Sequence, residues 1–140
     1  MAGICCDIAV IGGGLGGLAL AVGLRKRGFD CHIFEAASEL RTGTSTILAL
    51  GNNAFRSLEH LDPDIMERLR SWGSKVRKVT LVTQEGPEAQ RSVQEQPMAA
   101  DMWIFQWARL QSVLASLLPP QAVHCCHRAT GFTEEEEGEG

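Results

Sequence analysis

The first 35 residues alternate between short apolar runs and glycine-rich breaks. Residues 7–11 form a short apolar run, rich in β-branched side chains, that ends at glycine and predicts a buried parallel strand. Apolar residues then recur along 18–27 up to Gly28, which predicts a helix ended by this glycine. Residues 31–35 predict a second strand. Together these elements predict a βαβ unit of about thirty residues, the length that such a unit needs.

The rest of the chain predicts further helices and strands, without an internal repeat. We expect three helices: one at 54–61 capped by Asn53, one from Pro63 to Gly73, and one at 107–117 ended by Pro119. The second of these helices has Ile65, Met66, Leu69 and Trp72 on one face. We also expect strands at 79–83 and 91–95 around a turn at 85–87, and strands at 123–126 and 128–133. The pattern at residues 102–105 does not decide between a helix and a strand. We expect the strand near Val123 to return to the parallel sheet beside the strand that ends at Glu35.

Composition places the chain among ordinary folded proteins. It has 140 residues, of which 44% are hydrophobic and 21% charged, enough for one sizeable core. These values exclude collagen-like, coiled-coil and wholly disordered proteins. The net charge of −4 comes from an acidic stretch at 134–140, and the rest of the chain is close to neutral. Charge therefore gives no basis for binding nucleic acid or an anionic membrane.

The uncharged stretch from Ile8 to Leu24 predicts neither a signal peptide nor a membrane span. No basic residue precedes it, Asp7 stands at its start, and five of its first ten residues are glycine. The first strand follows almost directly on Met1, so we expect no transit peptide. The five cysteines, two adjacent pairs and Cys31, indicate reduced thiols. We expect a cytoplasmic protein, or an organellar one if the N-terminus is longer.

The pattern Gly12-x-Gly14-x-x-Gly17 lies where the first predicted strand meets the helix, and Glu35 ends the next strand. Gly12 permits the tight turn, Gly14 lets a pyrophosphate approach the backbone, and Gly17 lets helix and strand pack closely. The phosphates would meet free N–H groups and the positive end of the helix dipole. The Glu35 carboxylate would accept hydrogen bonds from ribose hydroxyls and repel the 2′-phosphate of NADP. The alternative is a glycine-rich loop without a ligand.

This stretch resembles the extended N-terminal signature of FAD-binding oxidoreductases, which also expects Ala21, Leu24 and Gly28 on the helix. Residues 35–43 and 47–58 narrow the resemblance to the aromatic-ring hydroxylase group of flavin monooxygenases, which includes zeaxanthin epoxidase and salicylate hydroxylase. The resemblance implies an α/β fold, a Rossmann-like FAD-binding βαβ unit with a parallel sheet, plus the first β-hairpin of a substrate domain. It implies an incomplete domain: 1–133 as the N-terminal part of the FAD-binding domain, about 76–105 as the hairpin, and 134–140 as an acidic tail.

The resemblance also implies the chemistry. In such enzymes FAD is reduced by NAD(P)H and one atom of oxygen passes to a small organic substrate. Gly12, Gly14 and Gly17 would bind the pyrophosphate, Glu35 the adenosine ribose, and Arg41 would lie near the flavin. A solvated loop position is the alternative for Arg41. The sequence names no catalytic acid or base, and indicates neither the substrate, the choice of NADH or NADPH, nor the oligomeric state.

Two departures from the family pattern bear on function. The helix at 107–117 has Trp107 where the family carries an arginine that helps hold the flavin, and Arg109 lies about 200° around the helix. The family's later Asp-Gly and Gly-Asp elements do not occur. We therefore expect the N-terminal part of a larger flavoprotein, as a fragment or a truncated product. One alternative is a non-catalytic FAD- or ADP-binding chain. The other is a flavin-linked dehydrogenase or reductase, but the resemblance of residues 41–58 to the monooxygenases argues against this second alternative.

Cysteines and histidines cluster near the starts of three predicted strands. They are Cys5, Cys6, Cys31, His32, His124, Cys125 and Cys126. In neighbouring parallel strands these residues would converge at one edge of the sheet, where they suit a soft metal. However, strand neighbours alternate faces, and vicinal cysteines rarely ligate one ion together. We expect small packing residues here and no metal site.

Overall fold

The computed structural model describes residues 3–40, 46–84, 86–87, 91–98 and 101–134. Arg41, the turn residue Glu85 and most of the acidic stretch at 134–140 lie outside the described residues. The chain divides into two compact units, the first from Met1–Leu40 with Ser116–Gly140 and the second from Arg41–Ala115.

The first unit contains a parallel three-stranded sheet. Its elements are β1 (Ile8–Ile11), α1 (Leu15–Arg25), β2 (Cys31–Phe34) and, after the second unit, a 3-10 turn at Pro120–Ala122 that leads into a short last strand, Val123–His124. This strand, β8, pairs in parallel with β2, which also pairs with β1, so the order is β1-β2-β8. The expected return of the strand near Val123 is confirmed: Val123 lies opposite Ile33 in β2.

One face of this sheet forms the core of the first unit. Cys31 and Ile33 are buried on β2 and alternate with the half-buried His32 and Phe34. The buried residues of α1 are Leu18, Ala21, Val22 and Gly23. The helix begins at Leu15, three residues earlier than the sequence predicts, because Gly16 and Gly17 join its first turn; the Leu18 N–H already donates to the Gly14 carbonyl at 3.0 Å.

The second unit contains an antiparallel sheet, a hairpin and three helices. Its elements are β3 (Ile47–Gly51), α2 (Asn52–Leu61), α3 (Ile65–Arg70), β4 (Ser74–Lys75), β5 (Lys78–Thr83), β6 (Ser92–Pro97), β7 (Met102–Gln106) and α4 (Trp107–Ala115). Residues 102–105, for which the sequence did not decide between helix and strand, belong to β7, the middle strand of the order β3-β7-β4. The two strands expected at 79–83 and 91–95 are confirmed as the antiparallel pair β5-β6.

The core of the second unit collects around the Phe105 ring on β7. Phe105 is 1% exposed, and Leu58 of α2, Leu69 of α3 and Leu114 of α4 are also buried. A Cβ atom at Gly73 would overlap the Phe105 ring, so this position has no room for a side chain. Close packing of this kind leaves little room for larger side chains.

Three local predictions are wrong. Asn53 does not cap α2, which begins at Asn52 with Gly51 at the cap position and no side-chain cap. The helix expected from Pro63 begins at Ile65, because the Asp62 carboxylate accepts the Asp64 N–H at 2.9 Å and forms a turn first. The strand expected at 128–133 has no strand partner in the described part of the chain. None of the described helices is both long and apolar enough to cross a bilayer.

Candidate dinucleotide-binding site

The loop between β1 and α1 turns sharply at Gly12. This residue has φ +106°, a backbone conformation that residues other than glycine rarely adopt. Its N–H donates to the Phe34 carbonyl at 2.9 Å. Gly14 occupies the N-cap of α1 in an extended conformation. A Cβ atom added to Gly14 would have no neighbouring atom within 4 Å, so the backbone is accessible there.

The N-terminus of α1 suits an anion. The first turn of any helix presents N–H groups without intrahelical acceptors, at the positive end of the dipole. In α1, all of whose residues are described, the first turn carries no acidic side chain and the cap makes no side-chain hydrogen bond. The loop therefore directs backbone donors to the position where a pyrophosphate would lie.

Gly17 is the point of closest approach between α1 and the loop that precedes it. A Cβ atom here would overlap the carbonyl oxygen of Gly12 and come within 3.3 Å of Cγ1 of Val10 on β1. Gly17 thus has a packing requirement, whereas Gly14 has none within the protein.

Glu35 follows β2 directly and its carboxylate turns back to the glycine loop. Oε2 accepts the Gly13 N–H at 2.7 Å and Oε1 accepts the Ala37 N–H at 2.8 Å. These two bonds fix the orientation of the carboxylate. An ionised carboxylate is a hydrogen-bond acceptor at both oxygens, which is the chemistry that binding of ribose hydroxyls requires.

Gly13 is a site residue that the sequence analysis missed. A Cβ atom at Gly13 would lie 2.7 Å from Cδ2 of Leu40 and 3.3 Å from Oε2 of Glu35, so a larger residue would disturb the bond to the carboxylate. The signal available in the sequence was the middle glycine of Gly12-Gly13-Gly14, a position that the motif leaves free.

His124 at the end of β8 and the residues that follow it form hydrogen bonds with the main chain at Glu35 and Ala37. The His124 carbonyl accepts the Glu35 N–H, the His127 N–H donates to the Glu35 carbonyl, and the Cys126 N–H donates to the Ala37 carbonyl, each at 2.8 Å. Cys126 adopts φ +60° to make this turn. The sequence analysis did not find this support, because the contacting segments lie far apart in the chain.

The structure brings Gly12, Gly14, Gly17 and Glu35 together in the first unit, around one loop. The two candidates for the missing family arginine lie on α4, in the second unit. Trp107 is half-buried at the start of that helix. The Arg109 guanidinium lies over the exposed Trp72 ring, 4.1 Å from its centroid, in a cation–π contact.

The expected convergence at one sheet edge is wrong for the cysteines, although the His32 and His124 side chains do meet. Cys31 starts β2, whereas β8 begins beside the end of β2, so Cys125 and Cys126 follow the opposite edge. Burial raises the pKa of the Cys31 and Cys125 thiols, which keeps both protonated at neutral pH. Among the residues that the structure describes, no three or more His, Cys, Asp or Glu side chains are arranged to hold a metal ion.

Comparison with known proteins gives matches along nearly the whole chain. A family model described as an NAD(P)-binding Rossmann-like domain matches residues 10–69. The 3-amino-4-hydroxybenzoate 2-monooxygenase of Streptomyces cremeus is 33% identical over 133 residues, 91% of this chain and 33% of that protein.

The chain belongs to the FAD-dependent flavoprotein monooxygenase family. Two solved structures share its fold. The 2,6-dihydroxypyridine-3-hydroxylase from Arthrobacter nicotinovorans has a TM-score of 0.74 at 23% identity, over 97% of this chain and 32% of that one. Klebsiella pneumoniae HpxO, complexed with FAD and uric acid, has a TM-score of 0.71 at 24% identity, over 92% and 33%. The chain thus spans about a third of the length of each of these three proteins.

Membership of this family confirms the resemblance carried by residues 7–58 and the expected fold class. A Rossmann-like βαβ unit with a parallel sheet is present, together with antiparallel strands in the second unit. The NAD(P)-binding description of the matched family model is consistent with this, because NAD and FAD sites share the same glycine loop and helix N-terminus.

Proposed function

We propose that this chain binds FAD through the loop from Gly12 to Gly17 and through Glu35. The full activity that we propose is that of an NAD(P)H- and oxygen-dependent flavin monooxygenase that hydroxylates or epoxidises a small organic substrate, with this chain as its N-terminal part. One observation carries the proposal: the Glu35 carboxylate is held on the Gly13 amide, next to the exposed backbone of Gly14 and the first turn of α1.

Each residue of the site has a defined part. The backbone from Gly14 into α1 would donate hydrogen bonds to the pyrophosphate, and the absence of a Cβ atom at Gly14 permits close approach. Glu35 would accept hydrogen bonds from the adenosine ribose. FAD, when bound, supplies the redox chemistry, and the protein supplies its position. These residues face the ADP half of the cofactor, so they determine binding and not the choice of substrate.

Arg41 is the remaining proposed contact with the flavin. It lies outside the described residues, and its support is the resemblance of residues 35–43 to the family. A solvated loop position remains the alternative.

The alternative function is binding of FAD or ADP without turnover by these 140 residues. It is supported by the length of the match, since the chain spans 33% of the aminohydroxybenzoate monooxygenase. A flavin-linked dehydrogenase or reductase is less well supported, because the relative from Streptomyces cremeus that matches 91% of the chain is a monooxygenase.

A competition titration tests the proposal. FAD binding is followed by flavin fluorescence, and ADP and riboflavin are added separately as competitors. Because the site contacts the ADP half, ADP should displace FAD whereas riboflavin should not. Failure of both FAD and ADP to bind at millimolar concentration would remove the proposal. Oxygen-dependent NAD(P)H oxidation above that of free flavin would contradict the non-catalytic alternative.

A further inference from the structure

Two histidines from distant parts of the chain share a hydrogen bond on the half-buried face of the parallel sheet. Nδ1 of His32 on β2 lies 2.8 Å from Nε2 of His124 on β8, 92 residues later. The ring planes differ by 10° and the centroids are 5.0 Å apart. Rings stacked face to face cannot bring two atoms closer than about 3.5 Å. The imidazoles therefore meet edge to edge, with one nitrogen donating and the other accepting.

The surroundings of His32 determine how many protons the pair can hold. Nε2 of His32 lies 3.3 Å from a carboxylate oxygen of Asp30, which Arg25 also contacts at 3.0 Å. An acceptor at this position assigns a proton to Nε2. In the neutral pair, Nδ1 of His32 then accepts from His124. One added proton can be placed on Nδ1 of His124, whose Nε2–H then still donates to Nδ1 of His32.

A second added proton is incompatible with this contact. It would leave two N–H donors facing each other at 2.8 Å, with no acceptor between them. The other group acting on His124 adds to the repulsion: the His127 ring meets it edge-on with centroids 5.6 Å apart, and Nδ1 of His127 lies 2.7 Å from the Cys125 carbonyl. Burial, then His32 and then His127 lower the pKa of His124. Phe34 packs against the same ring, with centroids 5.1 Å apart.

Main-chain hydrogen bonds connect the histidine pair to Glu35. The His124 carbonyl accepts the Glu35 N–H and the His127 N–H donates to the Glu35 carbonyl. β8 contains only two residues, so it has few other bonds to keep it on β2. Separation of the two imidazoles would release both main-chain bonds that hold Glu35 from this side.

We propose that His32 and His124 are positioning residues for the dinucleotide site: the hydrogen-bonded pair keeps β8 on β2 and Glu35 in place, and a second added proton opens this contact and weakens FAD binding. This inference rests on the proposed function for its effect on FAD, whereas the opening of the strand pair does not depend on any ligand.

The first experiment uses the full chain without ligand. Histidine ¹⁵N NMR between pH 8 and pH 5 follows the protonation of both rings, and hydrogen exchange measures protection of the Glu35 and His127 amides, corrected for intrinsic rates. We expect protection of both amides to fall as the second proton binds. Unchanged protection across this range would overturn the proposal.

The second experiment measures FAD affinity at pH 7.5 and pH 5.5, a window above the usual titration range of carboxylates. FAD is the ligand because each phosphate of its pyrophosphate bridge has one ester and one anhydride bond and no group that titrates there. We expect affinity to fall about tenfold in the parent chain, which corresponds to a change of about one pKa unit on binding. His124→Phe, which keeps a ring against Phe34, should change less than about twofold. His60→Phe, at an exposed position on α2, is the control and should behave as the parent.

His32→Gln provides a second variant if His124→Phe does not fold, because the amide keeps a hydrogen bond but does not titrate. Equal pH dependence in the parent and in the folded variant would overturn the positioning role. Absence of FAD binding at every pH would overturn the proposed function and this role together, while the amide protection would still decide whether protonation opens the strand pair.

Discussion

The carboxylate of Glu35 and the backbone N–H of Gly13 form a 2.7 Å hydrogen bond across 22 residues. This bond joins the end of β2 to the loop that begins after β1. The same carboxylate is the proposed acceptor for the adenosine ribose. Under the proposed function, a single side chain would therefore order the glycine loop and also bind the ribose, so its replacement should affect both.

Replacement of Glu35 should weaken ADP binding and relax the exclusion of NADP. Glu35→Ala should reduce the binding free energy of ADP by about 1.5–3 kcal/mol, the range for a lost hydrogen bond to a charged group. Glu35→Gln should bind NADP better relative to ADP than the parent does, because the negative charge that repels the 2′-phosphate is gone. Isothermal titration calorimetry measures both. Glu39→Gln, at an exposed position nearby, is the matched control. Tighter binding of NADP than of ADP by the parent would contradict the assignment.

Gly14→Ala should abolish dinucleotide binding without unfolding the chain. A Cβ atom at Gly14 would contact no protein atom within 4 Å, but it would occupy the space of the pyrophosphate. Circular dichroism should keep the helical signal while FAD and ADP no longer bind in titrations. Gly16→Ala is the control, since a Cβ atom there also meets nothing within 4 Å and the motif does not require glycine. Undiminished FAD binding by Gly14→Ala would show that the loop does not hold phosphate.

Gly17→Ala should instead reduce stability. The added Cβ atom would overlap the Gly12 carbonyl oxygen, which is backbone and cannot move aside cheaply. We expect a loss of about 1–3 kcal/mol in the free energy of unfolding, the usual cost of overpacking, and a larger loss for Gly17→Val. Urea unfolding followed by circular dichroism measures it. Parent-like stability of Gly17→Ala would mean that α1 and the loop are not in close contact at this point.

The two faces of the parallel sheet should respond differently to truncation. Ile33→Ala on β2 removes a fully buried side chain and should cost about 2–5 kcal/mol. Ile11→Ala on β1 removes one that is 63% exposed, and should cost less than about 1 kcal/mol. The difference between the two unfolding free energies is the measurement. Equal losses would mean that the core does not lie on the α1 side of the sheet.

Mild acid should destabilise the chain through His124. Its pKa in the folded chain is lowered from the ordinary 6.5, so the unfolded state binds more protons as the pH falls below that value. The free energy of unfolding should therefore be greatest above pH 6.5 and should decrease as the pH falls toward the folded pKa. Urea unfolding at pH 7.5, 6.5 and 5.5 tests this. The decrease should be smaller in His124→Phe; an identical decrease would assign the effect to other groups.

The sequence predicts the parts of the fold that local rules control. The apolar run before Gly12, the helix after it and the second strand form a continuous unit, so periodicity and glycine positions suffice to predict β1, α1 and β2. The acidic residue after β2 and the spacing of Gly12, Gly14 and Gly17 then predict which residues meet around the loop. The start of α1 was missed because glycine is a poor helix former, and tertiary packing overrides that preference at Gly17.

Features that depend on register were not accessible from the sequence. Val123 pairs with Ile33 near the end of β2 and not with its start, and this shift places His124 beside His32 and moves Cys125 to the other edge. No local pattern specifies such an offset, because the two strands are separated by the whole second unit. The capping role expected of Asn53 failed for a related reason, since β3 runs directly into α2 at Gly51.

The order of strands in the first unit has a consequence for synthesis on the ribosome. β2 needs β8 as its outer neighbour, but about 90 residues separate them, and translation at about 5–20 residues per second takes roughly 5 to 20 seconds to supply Val123. During that interval one edge of β2 has no partner, and an unpaired strand edge is a template for pairing with other chains. The nascent chain is therefore most exposed to misassociation after β2 has emerged and before β8 is synthesised.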